Sequence, residues 1–201
     1  MYKTQISNHS YCFESLRDLL AKASPLRSGD VLAGVCASSY EERIAAQLAL
    51  SNVPLKNFLN EVVIDYDKDD ITRLIIDTHD KEAFATISHL TVGGFRDWLL
   101  STEVTNEIIL QTNKGITPEM AAAVSKIMSL QDLILVAQKI EVVSKFRTTV
   151  GLKGRFSTRL QPNHPNDDNK GIMASILDGL LYGCGDAVIG INPVSDSEEI
   201  A

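Results

Sequence analysis

Phe156-Ser-Thr-Arg-Leu-Gln-Pro162 and Asp186-Ala-Val-Ile-Gly-Ile-Asn-Pro193 decide how this chain is read. Each is an apolar or alternating run that stops at a polar residue followed by proline. Proline has no N–H to extend a ladder and pushes the preceding residue toward extended geometry, so Gln161 and Asn192 are expected at or just past strand C-termini. Between the two runs, Ile172, Ile176, Leu180 and Leu181 recur at helical spacing; Asp167 or Asp168 can cap the start, and Gly183 can take the left-handed stop. Gly185 and Asp186 then turn the chain into the second run. Strand, helix and strand in one sheet pair in parallel through a right-handed crossover. Parallel strands align their C-terminal ends, which brings Arg159, Gln161 and Asn192 to one rim. In a β/α barrel that rim carries the active site.

The preceding 150 residues read as helices. Glu14 to Ala23 carries Leu16, Leu19, Leu20 and Ala23 on one face, and Ser38 with Glu41 has the spacing of a capping box before a helix that runs to about Leu50. Further helices are expected at Pro54 to Asn60, Asp69 to Asp77, Lys81 to His89, Val92 to Leu100 and Thr105 to Leu110. Thr117-Pro118-Glu119 opens an Ala-rich helix to Met128, and Ser129 to Ile140 supplies another. The fold expected is therefore α/β: an all-helical N-terminal module over 1–150, followed over 151–201 by the first two strands and intervening helix of a (β/α)8 TIM barrel. Gly29, Ala33 and Gly34 within Leu26 to Val35 are read as small residues suited to close backbone packing.

Composition narrows the function classes. The 201 residues are 44% hydrophobic and 22% charged, with a formal net charge of −7, an ordinary globular balance. Phosphate binding needs clustered Lys and Arg, so a nucleic-acid surface is not expected. No apolar run approaches the length of a membrane span, and Met1-Tyr-Lys-Thr-Gln-Ile6 lacks the features of a signal peptide; the expected location is cytoplasmic. Cys12, Cys36 and Cys184 are odd in number and scattered, which argues for reduced thiols rather than a disulfide framework or zinc site. His9, His79, His89 and His164 lack metal-ligand spacing, so no metal is expected and structural or surface roles are assigned to them. Gly151-Leu-Lys-Gly154 lacks the spacing of a nucleotide fingerprint and is read as a turn into the first barrel strand. Asp65-Tyr-Asp-Lys-Asp-Asp70 lacks the central Gly and terminal Glu of a calcium loop and is read as a turn that caps the next helix.

An Arg, a Gln and an Asn on one rim suit a particular kind of chemistry. Neutral amides donate and accept hydrogen bonds without titrating, so they hold a substrate hydroxyl in a fixed orientation and are poor acid–base catalysts. An arginine adds a permanent charge that can order the amides or stabilise charge on a migrating group. Such a set positions a substrate while something else, a cofactor for example, performs the difficult step.

The runs Phe156 to Asn163 and Gly185 to Val194 resemble the start of the barrel in the ethanolamine ammonia-lyase large-subunit family. Leu26-Arg-Ser-Gly-Asp-Val-Leu-Ala-Gly-Val35, continuing into Ser39-Tyr-Glu-Glu-Arg43, is similar to that family's N-terminal region. The resemblance covers essentially the whole chain. It implies an adenosylcobalamin-dependent carbon–nitrogen lyase, in which an adenosyl radical abstracts hydrogen from ethanolamine and rearrangement releases acetaldehyde and ammonia. It further implies that Arg159 is catalytic, that Arg159, Gln161 and Asn192 bind the substrate, with Asn192 on its hydroxyl, and that Pro193 abuts the cobalamin. Implied partners are ethanolamine, a small subunit and further copies of the large subunit, housed in a bacterial microcompartment.

The family's later strands supply the carboxylates for the substrate ammonium, and an eight-stranded barrel takes about 250 residues. A fragment of a longer product is therefore expected, inactive alone, with open strand edges and an uncovered apolar face. The alternative function is a non-catalytic helical assembly or interaction module. A barrel enzyme using phosphate-bearing substrates is disfavoured because no Gly-rich phosphate loop is present.

Overall fold

The computed structural model describes residues 1–145, 148–185, 188–192 and 194. The chain divides into two units, Met1–Ile140 and Glu141–Ala201.

The first unit opens with a β-hairpin, which the all-helical expectation for this half missed. Strands β1 (Tyr2–Ile6) and β2 (His9–Phe13) pair antiparallel, with Tyr2 opposite Phe13 and Ile6 opposite His9. Ser7 takes the left-handed conformation that the turn requires, at φ 52°. Helices follow: α1 (Leu16–Lys22), α2 (Ser28–Leu32), α3 (Tyr40–Ser51), α4 (Asn57–Asn60), α5 (Asp70–Thr78), α6 (Lys81–Ala85), α7 (Val92–Leu100), α8 (Asn106–Thr112), α9 (Pro118–Ile127) and α10 (Leu130–Lys139). They bury one cluster that includes Phe13, Leu16, Leu19, Ala46, Leu50, Phe95, Met120 and Ala123. Helix α3 lies at its centre, packed against β1, α1, α7 and α9. Its alanines at 45, 46 and 49 are buried and let those neighbours approach closely.

Most helices begin at a side chain that accepts an otherwise orphaned N–H. Ser15, Asp69, Asp80, Thr91 and Thr117 do this for α1, α5, α6, α7 and α9. Helix α10 has a full capping box: Ser129 Oγ accepts from Asp132 N, and Asp132 accepts from Ser129 N at 2.9 Å. The same carboxylate receives Arg96 Nη2 of α7 at 2.7 Å. The Ser129 N–H first, and the Arg96 guanidinium next, hold the Asp132 carboxyl below its usual range.

Two local expectations are corrected. The cap of α3 is Ser39, one residue later than the Ser38–Glu41 box: Ser39 Oγ accepts from Glu42 N, and Glu42 reaches back to the N–H and hydroxyl of Ser38 at 2.6 and 2.7 Å. Tandem Ser38-Ser39 and Glu41-Glu42 offer the same spacing twice, and the later register is the one formed. Leu26 to Val35 is not a close-packing segment. A methyl group at Gly29 or Gly34 would meet nothing within 4 Å, and Gly34 instead provides the left-handed exit from α2 at φ 69°. The close approach lies elsewhere, at Gly115, where an added Cβ would come within 2.3 Å of Phe84 N. Asp65 to Asp70 forms a short 3-10 turn that ends in the Asp69 cap of α5, and the three cysteines are unpaired.

The second unit begins with the short antiparallel pair β3 (Ser144–Lys145) and β4 (Thr149–Val150). It continues through β5 (Arg159–Leu160), α11 (Asn169–Leu181) and β6 (Val188–Ile189). Strands β5 and β6 run parallel, with Arg159 opposite Val188 and Leu160 opposite Ile189. Among the described residues the ladder joins two residues of each strand, and Gly190 N extends it by a bond to Leu160 O. Phe156 lies outside any ladder and is fully exposed. A two-stranded sheet is no closed barrel, and Met173, Leu177, Leu180 and Leu181 of α11 stand exposed. No helix among the described residues is long and apolar enough to cross a membrane.

Candidate functional site

The site is built on the loops that leave β5 and β6. Leu160 packs under α11, closely enough that a Cβ at Gly179 would come 2.4 Å from its Cδ1. Side chains alternate along a strand, so Arg159 and Gln161 lie on the sheet face away from that helix. Gly190 N donates to Leu160 O at 2.9 Å and carries the ladder one step past β6. Continued in register, Gly190 falls opposite Gln161, and Asn192 follows two residues on. Arg159, Gln161 and Asn192 are all exposed. Pro193 and Asp186 lie outside the described residues.

Both ends of α11 follow the expected cap and stop, and the tie between the two loops is the contact the sequence did not announce. Asp168 is the cap of α11, accepting from Gly171 N at 2.9 Å. Its neighbour Asp167 ties the loops together instead. From a left-handed backbone at φ 51° it accepts Val194 N at 2.8 Å, joining the loop after β5 to the loop after β6. Asn192 therefore sits just before a fixed point. The run Asn166-Asp167-Asp168 hints at a left-handed residue, since Asn and Asp tolerate it, but says nothing of the partner. His164 is structural: its Nδ1 accepts weakly from Asn166 N and Asp168 N, both at 3.4 Å, and its ring lies against Gly171. At the far end of α11, Cys184 N donates to Gly179 O and Gly183 N to Leu180 O, with Gly183 at φ 77°. This double closure returns the chain tightly toward β6.

A cavity in the first unit, about 180 Å³, is lined mainly by Phe58, Leu59, Val62, Val63, Ile75 and Ile76. Two polar side chains on its wall already have partners, His79 with Gly115 O and Thr72 with Asp69. Lys81, Thr117 and Glu119 complete its polar lining. The loops after β5 and β6 carry instead the cation and the two amides singled out in the sequence, each exposed.

Among the described residues no cluster of His, Cys, Asp and Glu could hold a metal ion. The three rim side chains offer hydrogen bonding and fixed positive charge. A guanidinium donates and an amide both donates and accepts, which fits a small ligand with an oxygen to grip.

Comparison with known proteins agrees with this placement of the chain in a family. The family model described as ethanolamine ammonia lyase large subunit matches residues 11–201. The ethanolamine ammonia-lyase large subunits of Escherichia coli K12 and Salmonella typhimurium are each 46% identical over 197 residues, 98% of this chain and 44% of the relative. The chain thus spans less than half the length of the curated relatives it matches. With a family match across nearly its whole length, this chain belongs to the ethanolamine ammonia-lyase large-subunit family.

Proposed function

We propose that the protein carrying this sequence converts ethanolamine to acetaldehyde and ammonia with adenosylcobalamin, and that Arg159, Gln161 and Asn192 hold the substrate. The observation that carries this reading is the parallel β5–β6 pair, with a cation and two amides at its C-terminal ends in a chain of this family. Adenosylcobalamin, when bound, supplies the radical chemistry; the chain supplies grip and orientation. The rim suits such a cofactor. Exposed Ile191 and Val194 flank Asn192 and offer apolar contact to a broad ring, and Pro193, between them in sequence, would abut it.

The charges dictate which way ethanolamine lies. Its ammonium is repelled by the Arg159 guanidinium, so the hydroxyl end faces Arg159 and the amine points away. Asn192 accepts the hydroxyl proton through its carbonyl or donates to the oxygen through its NH2, and Gln161 adds a second amide. Arg159 is catalytic in the sense that its fixed charge stabilises electron density left on the substrate oxygen. Holding the hydroxyl end fixed keeps the substrate oriented while it reacts. Association with a small subunit and with further large subunits, and residence in a bacterial microcompartment, belong to the same proposal.

The test is turnover. The protein carrying this sequence, assembled with its small subunit, is expected to release ammonia and acetaldehyde from ethanolamine only when adenosylcobalamin is added. Product formation no higher than in a cofactor-free control would overturn the reading.

A further inference from the structure

We propose that Gly190 is a positioning residue for Arg159: the missing side chain leaves a slot on the rim face in which the guanidinium lies. The inference rests on the substrate-binding role proposed for Arg159 and asks what fixes that side chain. A Cβ built at Gly190 would stand 2.9 Å from Arg159 Nη2, 3.4 Å from Nε and 3.5 Å from Cζ. The guanidinium therefore rests on the Gly190 backbone. The strand register explains why it can do so. Arg159 is opposite Val188, and Gly190, just past β6, is the next residue on that same face, one pleat further along. The long Arg159 side chain reaches across that pleat to the Gly190 backbone. Any side chain at position 190 occupies the path.

The backbone itself does not demand glycine there. Gly190 is absent from the residues with positive φ, unlike Gly183 and Gly185. Nor does a methyl group at 190 collide with main chain: what it meets is the free end of a flexible side chain, which can swing away at little conformational cost. Alanine at 190 is thus expected to leave folding intact and to move the guanidinium. Stability and position separate at this residue, and that makes the proposal testable.

The experiment uses the assembled enzyme with its small subunit. In Gly190→Ala, kcat/KM for ethanolamine is expected to fall about tenfold or more, the scale on which an ångström of misplacement acts. The Tm should stay within about 1 °C of wild type, within the range of a neutral surface change. Ethanolamine affinity of the cofactor-free protein, measured by calorimetry, should weaken in parallel. The deciding comparison is the double variant: in an Arg159→Ala background, Gly190→Ala should have no further effect on binding or turnover. Gly190→Ala equal to wild type while Arg159→Ala is impaired would overturn the positioning role and leave the site reading standing. Equal, additive losses from the two substitutions would also overturn it. An Arg159→Ala enzyme with wild-type kinetics would instead sink the site reading itself.

Discussion

Arg159→Ala in the assembled enzyme is expected to lower kcat/KM for ethanolamine by about 10²- to 10³-fold. Removing one preorganised donor aimed at developing charge costs that much where water is excluded. The loss should fall largely on kcat, because a charge that stabilises the rearranging substrate matters more in the transition state than in the ground state. Arg159→Lys should recover only part of it. A lysine keeps the charge, but its ammonium is a point donor without the planar fork of the guanidinium that rests on Gly190. Activity of Arg159→Ala within about twofold of wild type would remove Arg159 from the site. Thermal stability measured alongside should be unchanged, since the side chain is exposed.

Phe95→Ala is expected to destabilise the first unit by about 3–5 kcal/mol, the range for deleting a large buried aromatic. Phe95 is 1% exposed and stacks on Trp98 with ring centroids 5.7 Å apart. It lies on α7, which packs against both α3 and α9, so the void would open where three helices meet. Such a loss is a large fraction of the stability of an ordinary domain. Leu74→Ala, on the outer face of α5 and 62% exposed, should change stability by no more than about 0.5 kcal/mol. Urea denaturation followed by circular dichroism compares the two. Equal effects of Phe95→Ala and Leu74→Ala would mean that Phe95 is not a core residue of the first unit.

Much of the helical half was legible because its signals are local. Thr117-Pro118 marks a helix start by its own chemistry, the hydroxyl serving as cap and the ring fitting the first turn. The hairpin was not read, although Tyr2, Thr4 and Ile6 alternate with Lys3 and Gln5. Five residues of alternation are a weak pattern, and the turn depends on Ser7, which rarely takes positive φ. Ser38 and Ser39 show the limit of spacing arguments, since two registers satisfied the same motif and only tertiary surroundings chose between them.

The site divides in the same way. Arg159, Gln161 and Asn192 stand out in sequence because strand ends before proline announce themselves. The contacts of Asp167 and Gly190 do not, because Val194 N and the Arg159 guanidinium reach them only through the parallel pairing of β5 with β6.

The central claim is that the rim residues grip ethanolamine. The most direct measurement is an experimental structure of the assembled enzyme with ethanolamine bound. The expected result has Arg159 and Asn192 side-chain atoms at hydrogen-bond distance from the substrate hydroxyl, about 2.7–3.2 Å, with the amine directed away from the guanidinium. Ethanolamine seated elsewhere, touching none of Arg159, Gln161 and Asn192, would contradict the account.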